Sequence, residues 1–238
     1  VPNAKIPEVV GTADMSLRFI TAHALAFPRE PGEDRVDVLE HEGALVAVVA
    51  DGAGGLSGGA RAAELLVELV RESVASSTVD PRRAETWTEL LARVDLFLEA
   101  DPVAGETTAV VVAITEDQVV GASCGDSGAW VIHPDGGIDD LTIHQHRRLR
   151  VGSGRARPVA FSRPLFAGTL LVATDGLFNY ARPEKIAAVA LQEDLDGAAR
   201  ELVQLVRLPG GGLQDDVGVV TVRGAVASAH DNRGSAAK

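Results

Sequence analysis

Apolar and polar positions alternate in several different rhythms along this chain. Residues 16–27 show partial two-residue alternation, and 35–39 a weaker version of it, so both read as strand material on either side of a turn at 28–34. Residues 44–50 are almost continuously apolar, as expected of a strand buried on both faces. After the glycine-rich loop Gly52–Gly59 the period changes. Ala63, Leu66, Val67, Val70 and Val74 mark an amphipathic helix over 60–76. Pro81 introduces a second, over 82–98, with Trp87, Leu90, Leu91, Val94, Phe97 and Leu98 on its inward stripe. Strand patterns return at 107–115 and 118–124, joined by a tight turn at Glu116–Asp117, and continue at Trp130–His133. Residues 134–140 are turn-rich. The stretch 144–164 is basic and aperiodic and reads as a mobile flap-like segment. A buried strand follows at 169–174, then helices at 183–191 (Pro183 at the first position) and 196–206, then a strand at 217–222.

Hairpins alternating with helix pairs predict antiparallel sheets with helices outside, not a doubly wound parallel sheet. The expected organisation is a single domain over 1–223 and a flexible C-terminal tail over 224–238, rich in small and polar residues.

Composition narrows the function. The chain has 238 residues with 46% apolar content, enough for one substantial core. Its formal charge of −12 argues against nucleic-acid binding by bulk electrostatics, while a phosphate substrate stays open because bound metal ions invert a local field. Cys124 is the single cysteine, which fits a reducing, cytoplasmic setting. No membrane span or signal peptide is expected, and the initial Val1 suggests a processed product or excised domain.

Candidate chemistry lies at strand ends. Asp51–Gly52 closes LVAVVADG, Asp175–Gly176 closes LLVATDG, and Asp215–Asp216 precedes VGVVTVR. Carboxylates placed there are costly unless solvated, paired or bound to cations. With Glu33 and Asp34 they supply the oxygen donors of a divalent-metal cluster.

These motifs resemble, in order, those of the metal-dependent PPM/PP2C family of serine/threonine protein phosphatases. The resemblance is carried by Arg29 before Glu33–Asp34, then Asp51–Gly52, Thr107–Thr108, Gly125–Asp126–Ser127, Asp175–Gly176 and Asp215–Asp216. It implies an α+β fold, a four-layer α-β-β-α sandwich with two central antiparallel sheets flanked by helix pairs. It also implies hydrolysis of phosphoserine and phosphothreonine in proteins by in-line attack of a metal-bridging water or hydroxide. Two Mn2+ or Mg2+ ions are implied, with Asp51 bridging and Glu33, Gly52, Asp175 and Asp215 completing their shells. Asp34 would act on a metal-bound water, and Arg29 would grip the phosphoryl group. A weaker third ion would sit near Asp126, weakened further because Asn179 stands where many members carry an aspartate; the alternative reading of Asp126 is a turn residue. Gly128, Ala53 and Asp216 also depart from common family residues. Phosphorylated proteins are the implied partners, with a cognate kinase, and a monomer is expected. The alternatives are a small phosphorylated substrate, or a non-catalytic phosphopeptide-binding module.

Overall fold

The computed structural model describes residues 19–29, 31–41, 43–54 and 58–224. In chain order these form β1 (Phe19–Ala26), β2 (Arg35–His41), β3 (Ala44–Ala50), β4 (Gly52–Ala53), α1 (Gly58–Ala75), α2 (Ala84–Ala100), β5 (Glu106–Thr107), β6 (Ala109–Ile114), β7 (Gln118–Cys124) and β8 (Gly128–Ile132). There follow β9 (Ile138–Asp140), β10 (Val159–Pro164), β11 (Thr169–Ala173), α3 (Asp175–Phe178), α4 (Pro183–Ala190), α5 (Leu195–Gln204) and β12 (Val217–Gly224). Two five-stranded antiparallel sheets result, ordered β1-β12-β11-β8-β9 and β10-β7-β6-β3-β2, and β4 and β5 pair separately.

The two-residue period of a strand explains the layering. In β3, Val46, Val48 and Ala50 enter the core beneath α1 and α2, while Leu45, Ala47 and Val49 enter the core between the sheets. In β11, Leu171 and Ala173 face α4 and α5, and Leu170 and Val172 face the other sheet. Three apolar layers therefore separate four layers of secondary structure, as the resemblance implied. A strand covered on both faces has no polar side to display, which is why 44–50 and 170–173 read as unbroken apolar runs.

Several expectations are corrected. The range 144–164 is not loop throughout: Val159–Pro164 is β10, the edge strand paired with β7. Residues 138–140, read as turn, form the short edge strand β9. The expected strand at 107–115 is interrupted at Thr108. A one-turn helix, α3, follows directly on β11. Phe97 is 51% exposed and stands off the core, which Leu98 enters instead at 1%. The proposed tail from 225 onward and the strand material before 19 lie outside the described residues. Among the described residues no helix is long and apolar enough to cross a membrane.

Candidate metal centre

The carboxylates identified from sequence gather at one end of the sandwich, where strands of both sheets stop. Asp51 follows β3 in one sheet. Asp175 follows β11 in the other, and Asp215–Asp216 lead into its neighbour β12. Asp126 lies in the β7–β8 turn that crosses between the sheets.

Local chemistry fixes each backbone. Asp51 N–H donates to Thr108 Oγ1 at 2.9 Å, and Asp51 C=O accepts from Thr108 N–H at 2.8 Å and Thr107 Oγ1 at 3.0 Å. Thr108 Oγ1 in turn shares a 2.6 Å hydrogen bond with Ser127 Oγ, linking the Thr-Thr and Gly-Asp-Ser motifs. The strand break at Thr108 is thus where the chain turns from extending a sheet to holding Asp51. Gly52 packs so closely on the start of α1 that a Cβ would collide with the Gly59 carbonyl. Gly176 likewise leaves no room for a Cβ beside the Asp216 carbonyl. On α3, Asn179 Nδ2 donates to Asp175 Oδ2 at 2.8 Å, one helical turn back. Asp216 Oδ2 accepts the Glu33 N–H at 2.5 Å and the Asp34 N–H at 3.2 Å, tying the loop before β2 to the start of β12.

Asp51, Asp126 and Asp175 each offer an oxygen within 4.8 Å of the others. Arg29, Glu33, Asp51, Gly52, Asp215 and Asp216 line an adjoining cavity of about 530 Å3. Glu33 and Asp215 are therefore placed beside the three-aspartate cluster and not within it, and Asp51 belongs to both groups. Arg29 is exposed at the cavity edge. Asp34 is the deepest member, only 1% exposed.

The electrostatics show a centre with too much negative charge. Burial first, then Asp51, pushes the Asp34 carboxyl up to about 9. Burial, followed by Asp175 and Asp126, pushes Asp51 up to about 7. Asp175 and Asp215 are raised too, by burial before neighbouring charge. Asp34 Oδ2 and Asp126 Oδ1 are buried without a hydrogen-bond partner among the described residues. An all-oxygen donor set under this pressure fits hard divalent cations.

Two residues near the centre escaped the sequence reading. Arg150 Nη2 lies 3.7 Å from Asp126 Oδ2, and Asp95 on α2 anchors the segment that carries Arg150. Neither carries a local signal, since one sits in a basic run and the other within a helix. Cys124 is buried, donates to Leu149 C=O at 3.1 Å and is pushed up to about 11, mainly by burial. It is a packing residue, not a nucleophile.

A sequence profile described as Protein phosphatase 2C matches residues 29–205. No curated protein sequence matches the chain significantly. Similar solved structures include the S. agalactiae serine/threonine phosphatase, at 21% identity and TM-score 0.73, covering 86% of this chain and 99% of that one. The catalytic domain of the phosphatase PstP in complex with two manganese ions is 20% identical at TM-score 0.73, covering 87% and 99%. Stp1 from Staphylococcus aureus is 19% identical at TM-score 0.71, covering 87% and 95%. At these identities the likeness establishes the fold.

Proposed function

The chain belongs to the protein phosphatase 2C family, and from that premise we propose that it hydrolyses phosphoserine and phosphothreonine in proteins with the help of divalent cations. The observation that carries this reading is the position of Asp51, common to the three-aspartate cluster and to the cavity lined by Arg29, Glu33 and Asp215. A carboxylate shared in this way is suited to serve two ions at once. Asp51 would bridge them, Glu33 and the Gly52 carbonyl would hold one, and Asp175 and Asp215 would complete the set. The two manganese ions of the PstP complex support that number.

Divalent ions bound there supply positive charge to the phosphoryl oxygens and lower the pKa of a nearby water. The chain's own groups supply the rest. Arg29, at the open edge, presents a guanidinium fork that matches two phosphoryl oxygens and orients phosphorus for in-line attack. Asp34, buried and close enough to Asp51 to feel its charge, would accept a proton from the attacking water once bound cations offset the burial and acidic neighbours that otherwise keep its carboxyl protonated. Thr107, Thr108 and Ser127 keep Asp51 in place and so pre-organise the centre.

The purified chain is expected to release phosphate from an aryl phosphate and from phosphoserine and phosphothreonine peptides when Mn2+ is present. Asp51→Asn and Asp175→Asn should each lower kcat by about a hundredfold or more. A chain that binds Mn2+ yet turns over none of these substrates would overturn the reading. Turnover confined to small phosphorylated molecules would move the substrate class and leave the chemistry intact.

A further inference from the structure

One basic group faces the acidic cluster and has no part in the proposed chemistry. Arg150 brings Nη2 to 3.7 Å from Asp126 Oδ2, with its side chain 32% exposed and that of Asp126 25% exposed. The two have matching deficiencies: Arg150 Nε and Asp126 Oδ1 are both buried without a hydrogen-bond partner among the described residues. The charge of Arg150 also acts on Asp51 and Asp175, drawing both carboxyls down against burial and their acidic neighbours.

An arginine on a loose surface loop would contribute little here, because holding its side chain costs entropy and solvent screens its charge. Arg150 stands on a clamped support. Its carbonyl accepts from Ser153 Oγ at 2.7 Å, and the next residue, Val151, exchanges both backbone hydrogen bonds with Thr107 at 2.8 and 2.9 Å. Asp95, 4% exposed, accepts the N–H groups of Gly152, Gly154 and Ala156. Thr107 also donates through Oγ1 to the Asp51 carbonyl, so the segment carrying the guanidinium and the backbone of the central carboxylate are tied to one scaffold.

We infer that Arg150 is a built-in counter-ion for Asp126 and thereby sets how many divalent cations the centre holds. A metal ion that needs Asp126 as a ligand must displace a charge the chain already supplies, whereas ions sharing Asp51, Asp175 and Asp215 need not. Asn179 acts in the same direction, because its amide donates to Asp175 and brings no negative charge. Removing the guanidinium would leave Asp126 as a poorly compensated carboxylate in a site of oxygen donors, which favours cation uptake. The inference rests on the metal-centre reading above.

Mn2+ binding to the full chain, counted by the paramagnetic resonance of free Mn2+ and by titration calorimetry, tests it. Arg150→Ala should take up one further Mn2+ per chain, about tenfold or more tighter than any matching event in the wild type. Arg150→Lys should resemble the wild type, and the extra ion should vanish in Arg150→Ala/Asp126→Asn. Arg150→Gln serves as the second neutral variant should Arg150→Ala fail to fold. An unchanged count and affinity in the neutral variants, or an extra ion that survives Asp126→Asn, overturns the inference while the metal centre stands. A wild-type chain that takes up no Mn2+ overturns the metal-centre reading and the inference with it.

Discussion

At Asp34 a carboxyl has been carried into the protein with one oxygen lacking a hydrogen-bond partner among the described residues, and its pKa rises from 3.8 to about 9. Asp51 rises to about 7 for related reasons. The sign of the consequence follows from linkage. Between the unfolded and folded pKa values the native chain keeps protons that the unfolded chain has released, so metal-free stability falls as pH climbs. In chelator, Tm should drop between about pH 4 and 9, first through Asp51 and then through Asp34. Mn2+ should therefore raise Tm more at pH 8 than at pH 5. Asp34→Asn, which removes the charge and keeps the shape, should raise the metal-free Tm at pH 8. Scanning calorimetry across this range decides the matter, and a metal-free Tm that climbs with pH would contradict it. The carboxylates themselves were legible in the sequence because a charged residue ending an apolar strand needs a reason to be there. Arg150 was not, since six arginines between 147 and 163 share one basic run, and only the fold shows which of them faces inward.

Elements differ in how plainly their sequences announce them. Helices α1 and α2 show their buried stripes at helical spacing, β3 is an unbroken apolar run, and β11 is one from Leu170 onward. Strand β10 alternates half-buried and exposed positions and includes Arg163 and Pro164, because it lies at a sheet edge and is fixed by pairing with β7. No short-range pattern records that pairing. Phe97 misled for a related reason: it neighbours Leu98 on the helix, and only one of the two can point at the sheet. Asp95 looked like an ordinary polar helix position, yet it is buried because the loop after β8 and β9 folds its amides onto it. Asp95→Ala should cost about 3 kcal/mol, since it strands three amide donors at once. Urea denaturation would measure the loss, and amide exchange at Gly152, Gly154 and Ala156 should quicken with it. Unchanged exchange there would argue that the loop holds itself.

Across the whole molecule, the two sheets touch through side chains, with Leu170, Val172, Val220 and Val222 on one side and Leu45, Ala47, Val49, Val110 and Val112 on the other. Leu170→Ala at the middle of this layer should cost about 2–5 kcal/mol. If 1–223 is one domain, that loss should appear in a single urea transition, with Mn2+ affinity disappearing at the same concentration as secondary structure. Two separated transitions would split the molecule into independent halves. Alternating hairpins and helix pairs foreshadowed antiparallel sheets with helices outside, and the family resemblance their stacking in four layers, whereas the order of strands within each sheet was legible in neither. One pairing in that order has a consequence in time. Strand β1 lies along β12 over its full length, Phe19 opposite Gly224, and Asp216 secures the loop bearing Glu33 and Asp34. A ribosome making this chain from its first residue releases β1 long before the partner that completes it. Until residues 215–224 emerge, an edge of the sheet stays open and the acidic site lacks Asp215 and Asp216. The topology itself thus delays assembly of the site until β12 has been made and has paired with β1.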